Sequence, residues 1–334
     1  MLTHPSRALF TSTLMLGALI AISSPTWFTA WVGLELNLLS FIPIMSSKLN
    51  MYAAEAALKY FLIQALGSAT ILASSPVLLL FNYSPNLLIS VALLLKMGAA
   101  PLHLWFPPVM QGIGWGQCII LMTIQKIAPM LLLSYHINSP ITEMIFISSI
   151  LSGLAGSIGG LNQTLFRKIM AYSSVNHMAW MLAAISFSTP LWTNYFVIYS
   201  IVSFSVVLIL LQGQIFHFNQ MLTFSLQSPL LQLAMLFSLL SLGGVPPFLG
   251  FWPKMMVINE LALGGGFVWL SVLLGSALIT LYFYLRVISA ALTLSTPKIK
   301  ISLGLASTPL AMFATIACVN LTPLITPMST LLPF

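Results

Sequence analysis

Long apolar runs broken by short polar stretches dominate the chain. They predict eleven helices, at roughly 8–24, 27–45, 55–80, 87–106, 113–135, 141–161, 165–187, 191–213, 228–262, 266–294 and 304–332. About 20 residues span the ~30 Å of a bilayer core, and most of these runs reach that length. Gly98 and Pro101 interrupt the fourth run. Gly243, Gly244, Pro246, Pro247 and Pro253 interrupt the ninth, so both predict broken helices. The expected fold class is an all-α polytopic membrane protein with about eleven transmembrane helices in a single membrane domain.

Composition strengthens this reading and removes several alternatives. Of 334 residues, 59% are hydrophobic and 4% charged, with a mean hydropathy of +1.04. Soluble domains carry roughly 25% charged residues. The net charge of +7 is scattered through apolar runs and makes no basic patch for nucleic acid. Cys118 and Cys318 are the only cysteines, too few for an iron–sulfur cluster with its usual four thiolates, and they read as small buried hydrophobes. No G-x-G-x-x-G follows a strand, no histidines pair at helical spacing for a metal, and the N-terminus matches neither a signal nor a transit peptide. Trp and Tyr are expected in interfacial belts.

Charge fixes an orientation. With eleven spans, Arg7, Lys48, Arg167, Lys168, Arg286, Lys298 and Lys300 fall on the face that holds the N-terminus, while Glu143 and Glu260 fall on the other. The positive-inside rule puts the first face towards the cytoplasm-like compartment. On that face Arg167 and Lys168 read as solvated anchors.

An internal repeat accompanies the breaks. Gly98 and Pro101 with Trp105-Phe106-Pro107, and Gly244 and Pro247 with Phe251-Trp252-Pro253, both fit G-x-x-P-x5-P with aromatics before the second proline. Their places in the fourth and ninth spans predict two five-helix repeats of opposite orientation, over 8–135 and 141–294, followed by a C-terminal helix at 304–332. Interrupted helices at matching places in inverted halves point to an ion site.

The candidate chemistry lies in charges placed inside the spans. A charge at mid-membrane costs about 3 kcal/mol on insertion scales, so such residues are functional candidates. Glu35 and Lys96 form the first couple. A nearby carboxylate favours a buried lysine's charged form, so a lysine whose partner withdraws can load and release a proton; the alternative is a static pair that fixes packing. Lys126 lies beside Pro129, and snorkelling to the interface is its alternative. Lys254 follows the second break and fits either proton exit or an interfacial anchor. His177 is suited to relay protons between lysines, or to sit as a hydrogen-bonded core residue. Secondary candidates are His103, a relay or a cap, and Glu55 with Lys59, which pair at i,i+4.

Six segments carry a resemblance to a known family: WVGLELNLLSFIPIM (31–45), AAEAALKYFLIQ (53–64), LLLKMGAAPLHLWFP (93–107), TIQKIAPM (123–130), GGLNQTLFRKIMAYSSVNHMAWM (159–181) and SLGGVPPFLGFWPKM (241–255). They resemble the NADH–ubiquinone oxidoreductase chain 2 family, antiporter-like subunits of respiratory complex I, in a wording closest to arthropods. The resemblance implies two inverted five-helix repeats with flanking helices, in a form lacking the first three helices of bacterial relatives. It implies a proton relay of Glu35, Lys96, Lys126, His177 and Lys254 in the mitochondrial inner membrane, N-terminus on the matrix side and C-terminus on the intermembrane-space side. Expected partners are other membrane-arm subunits, among them another antiporter-like subunit and the small membrane subunits, together with lipid. No cofactor is expected on this chain; FMN and iron–sulfur clusters belong to other subunits. Two other classes share the layout: a cation/proton antiporter subunit, and a non-pumping structural spacer of the membrane arm.

Overall fold

The computed structural model describes residues 5–46, 50–77, 84–137, 139–220, 229–293, 320 and 321. Among them the chain forms α1 (Pro5–Ser23), α2 (Trp27–Met45), α3 (Met51–Val77), α4 (Ser84–Met97), α5 (Phe106–Gly112), α6 (Trp115–Met122), α7 (Ile124–Tyr135), α8 (Ser139–Leu161), α9 (Phe166–Ile185), α10 (Thr189–Gly213), α11 (Pro229–Gly243), α12 (Phe251–Leu263) and α13 (Phe267–Thr293). Seven segments among the described residues, with α6 and α7 counted together, are long and apolar enough to cross a membrane. The predicted helix at 304–332 lies outside the described residues except for Asn320 and Leu321, as do Lys48, Lys298, Lys300 and Cys318.

Both predicted breaks are present. Gly98 and Gly244 close α4 and α11 at φ +73° and +77°, a left-handed conformation that glycine adopts without steric penalty. A third interruption was not expected. The fifth run divides at Thr123, whose hydroxyl donates to the Ile119 carbonyl at 2.7 Å, a back-bond that bends helices. Pro129 then deprives the Gln125 carbonyl of its helical donor. Lys126 sits between these two defects.

Contacts between helix ends fall into two groups, one at each end of the bundle. On one, the Gln117 amide donates to the Ile44 carbonyl, and Arg286 donates to the Gln163 carbonyl at 3.2 Å. Leu165 pairs with His217 in an isolated antiparallel bridge, with Phe166 N–H to Phe216 O and Phe218 N–H to Thr164 O each at 3.0 Å. The other face is joined by rings: Trp27 meets His136 at 4.9 Å between centroids, Phe146 meets Trp269 at 5.1 Å, and Phe187 meets Trp269 at 6.4 Å.

Arg167 is more than the solvated anchor its position suggested. One guanidinium nitrogen donates to the carbonyls of both Gln111, at 2.7 Å, and Ile113, and the cation lies 4.7 Å from the Phe216 ring centroid. It thereby ties the α5–α6 connection to α9. A hydrogen bond to a charged group contributes about 1.5–3 kcal/mol. Arg167→Ala is therefore expected to destabilise the chain by about 2 kcal/mol, discounted for its partial exposure, and Arg167→Lys to recover less than half because an ammonium lacks the guanidinium fork. Thermal unfolding of the purified protein measures both; equal midpoints for the three variants would refute the assignment.

Buried apolar residues divide into two layers. One gathers residues such as Leu38, Phe41, Tyr60, Met122, Val175, Val202, Leu242 and Phe283; the other gathers Leu34, Ile71, Ala128, Met178, Tyr199, Val257 and Leu273. Along α2, α3, α9 and α13 the chain passes from one layer to the other within a few residues. The tryptophans do not all form belts, because Trp105, Trp115, Trp180, Trp192 and Trp269 are buried in the bundle.

Candidate functional site

The seam between the two layers is where the polar side chains collect. Glu35 falls between Leu34 and Leu38, Lys126 between Met122 and Ala128, Asn176 and His177 between Val175 and Met178, and Ser276 and Thr280 between Leu273 and Phe283. Lys96, Lys126 and Lys254 are 6%, 2% and 5% exposed, so snorkelling for Lys126 and interfacial anchoring for Lys254 are both overturned. Trimming either layer would expose these charges, whereas the bundle packs around them.

The break geometry holds the terminal lysines differently. Lys96 lies in the last turn of α4, its stem packed against Gly67 of α3, and its backbone carbonyl accepts from the Gln64 amide at 3.1 Å. Glu35 acts on Lys96 electrostatically, but the expected ion pair is not a contact: Glu35 Oε2 is buried without a hydrogen-bond partner, and the one salt bridge among the described residues joins Lys59 and Glu55 at 2.6 Å. That pair is exposed and borders a surface cavity of about 650 Å3 with Arg167 and His217, away from the seam. Exposed i,i+4 pairs contribute little to stability. His103 lies in the turn before α5, its carbonyl accepting from Phe106 N–H at 3.0 Å, while its Nδ1 is buried without a hydrogen-bond partner.

Lys126 lies 5.0 Å from the Phe106 ring centroid and 5.8 Å from that of Tyr199. Between it and the second break, His177 Nδ1 faces the Tyr195 hydroxyl at 3.0 Å, and its ring meets that of Tyr199 in a tilted contact, 4.9 Å between centroids. His177 is close enough to feel the charge of both Lys126 and Lys254. Lys254, in the first turn of α12, donates to the Gly243 carbonyl at 2.8 Å and lies 5.9 Å from the Trp180 ring. The break thus supplies a backbone carbonyl to a lysine. Uncharged groups extend the seam: Tyr60 donates to Gln125 at 3.1 Å, Gln125 to Asn37 at 3.0 Å, Ser276 to Asn176 at 3.0 Å, and Ser241 to Asn320 at 2.9 Å.

Comparison with known proteins decides the family. The NADH:quinone oxidoreductase/Mrp antiporter transmembrane family matches residues 24–87 and 82–280. NADH-ubiquinone oxidoreductase chain 2 of Anopheles gambiae is 49% identical over 291 residues, 84% of each chain, and that of Locusta migratoria is 38% identical over 300 residues, 87% of each. The chain belongs to the NADH-ubiquinone oxidoreductase chain 2 family. A chain of respiratory complex I from Thermus thermophilus shares the fold, with a TM-score of 0.83 and 24% identity, over 96% of this chain and 77% of that one.

Within this family member, the residues that sequence reasoning passed over are mostly uncharged: Asn37, Tyr60, Gln64, Gln125, Tyr195, Tyr199 and Ser241. A signal for some of them existed. One sequence spacing relates Gly17 to Gly156, Asn37 to Asn176 and Tyr60 to Tyr199. The contacts repeat with it. A Cβ on Gly17 would lie 2.8 Å from Asn37 N, and one on Gly156 would lie 2.6 Å from Asn176 N. Each asparagine then bonds a later helix, Asn37 to α7 and Asn176 to α13.

Proposed function

We propose that this chain is a membrane-arm subunit of respiratory complex I that takes part in proton translocation coupled to electron transfer from NADH to ubiquinone. The observation that carries the reading is burial: three lysines and a histidine lie inside the bundle, with hydrogen-bonded neutral polar side chains among them. Electron transfer takes place on other subunits. A rearrangement there changes the field of Glu35 at Lys96, a proton moves towards Lys126, and His177 passes charge on to Lys254. Moving one charge against 100 mV requires about 2.3 kcal/mol.

In this reading the protein spans the mitochondrial inner membrane many times. The face of Arg167 and Arg286 borders the matrix, and the face of Glu143 and Glu260 borders the intermembrane space. Its neighbours are another antiporter-like subunit and the small membrane subunits, with lipid around them.

Lys126→Met in the assembled complex tests the proposal. The protons translocated per electron are expected to fall by the contribution of one path, with NADH oxidation by uncoupled complex retained. An unchanged ratio would sink the pumping role and favour a spacer; cation-dependent proton flux without quinone reduction would favour an antiporter.

A further inference from the structure

Three neutral side chains from three helices meet beside Lys126. The Gln125 amide donates to Asn37 Oδ1 on α2 at 3.0 Å, and its carbonyl oxygen accepts from the Tyr60 hydroxyl on α3 at 3.1 Å. Asn37 and Tyr60 are each 2% exposed, and Gln125 is 9% exposed. One amide is thus engaged at both ends, across 88 and 65 residues of sequence.

The backbone here lends Lys126 little support of its own. The Lys126 N–H bonds the Thr123 carbonyl at 3.0 Å, a three-residue step in place of the usual four. Pro129 has no N–H to give the Gln125 carbonyl. A turn loosened on both sides takes its place from side chains, and Gln125 supplies two bonds to other helices. Each partner is itself committed. A Cβ on Gly17 would lie 2.8 Å from Asn37 N, so α1 and α2 pack backbone to backbone at this asparagine. Asn37 follows Glu35 on α2 by two residues. The Tyr60 ring meets Phe41 edge-on at 5.3 Å and Trp105 at 5.8 Å, and the Trp105 indole donates to the Leu95 carbonyl at 3.1 Å. Leu95 directly precedes Lys96. Gln125 is therefore reached from the Glu35 helix on one side and from the break at Gly98 on the other.

Lys126 is sensitive to where its turn sits. Attraction between an ammonium and an aromatic ring extends to about 6 Å from the centroid. Lys126 lies 5.8 Å from Tyr199, near that limit, and 5.0 Å from Phe106. A small shift of the turn takes the charge out of reach of Tyr199.

We propose that Gln125 is a positioning residue for Lys126, tying the lysine to the Glu35 helix through Asn37 and to the Gly98 break through Tyr60 and Trp105. The inference rests on the proton-path reading above and names the link by which an event at Glu35 or Lys96 reaches Lys126. A displacement of α2 or of the break pulls on the amide, and the amide moves the neighbouring lysine against Phe106 and Tyr199. No proton passes through Gln125, whose side chain stays bonded at both ends.

Variants of the assembled, reconstituted complex test this. Gln125→Met keeps the length of the side chain and removes both bonds. The protons translocated per electron, measured per assembled complex, are expected to fall as they do in Lys126→Met. Gln125→Met combined with Lys126→Met is expected to fall no further than Lys126→Met alone, because one residue acts through the other. Gln125→Asn leaves the amide one methylene short, and adding Asn37→Gln returns that length. The exchanged pair is expected to recover most of the ratio that Gln125→Asn loses. Where Gln125→Met does not assemble, Tyr60→Phe removes a single donor and keeps the ring. It weakens the hold about fivefold, the Boltzmann weight of one net hydrogen bond, and is expected to lower the ratio in part. Reduced abundance with an unchanged ratio per complex marks a merely structural clamp and overturns the assignment. So does a combined variant that falls below Lys126→Met alone, or an exchanged pair that recovers nothing. In each of these cases a lowered ratio in Lys126→Met leaves the proton path standing. If Lys126→Met itself leaves the ratio unchanged, the path and the positioning role fall together.

Discussion

Gly250→Ala is expected to prevent accumulation of the folded chain. A Cβ at this position would lie 1.7 Å from the Ser241 carbonyl oxygen and 2.8 Å from its carbon. Both are backbone atoms, so no side-chain rotation relieves the overlap. Gly250 caps α12, and Ser241 lies in the last turn of α11, so separating them forces apart the two arms of the second break. Ser241 cannot move alone. Gly243 accepts from Lys254, and the Ser241 hydroxyl holds Asn320. Overpacking a core costs about 1–3 kcal/mol where side chains can adjust. Here backbone meets backbone, and a loss above about 4 kcal/mol is expected, in the range reserved for the most damaging substitutions. The abundance of this subunit in the assembled complex, measured on native gels, is the readout. Normal abundance of Gly250→Ala would show that the break does not close as described.

The second large effect is expected from Lys254→Met. Its ammonium satisfies the Gly243 carbonyl, and a Cβ on Gly244 would lie 2.8 Å from Nζ, so lysine and break are packed as one unit. Methionine fills similar space but leaves that carbonyl without its donor, at about 1–3 kcal/mol. It also removes the positive charge next to His177. Subunit abundance is therefore expected to fall severalfold, and the complexes that do assemble are expected to translocate fewer protons per electron. The two readouts separate two roles: a lysine that only staples the break would lower abundance and leave the ratio per assembled complex untouched. Lys254→Arg keeps the charge, but its wider fork has no room against Gly244, so it is expected to restore the ratio only in part.

The charged members of the seam were legible because a lysine in an apolar run is costly wherever it occurs. The breaks were legible because Gly98, Pro101, Gly244 and Pro247 cannot continue a helix in an ordinary way. Less was legible where the cause is long-range. The interruption at Thr123 depends on a hydroxyl that bonds one turn back, which serines and threonines do throughout this chain without breaking a helix. Gln125 meets Asn37 and Tyr60 across intervals that no periodicity marks. The pairing of Glu35 with Lys96 followed from their charges alone. In the structure Glu35 acts on Lys96 electrostatically without a direct salt bridge, a separation that charge alone does not set.

The two faces of the bundle differ in how they are fastened. On the Arg167 side, helix ends are joined by directional bonds to backbone carbonyls and by the Leu165–His217 bridge. On the Glu260 side they are joined mainly by rings in edge and tilted contact, which tolerate sliding. Separating helix ends on the Arg167 side breaks hydrogen bonds to backbone carbonyls, whereas on the Glu260 side it parts ring contacts and the His136–Asn86 bond, so the second face yields at the lower energetic cost.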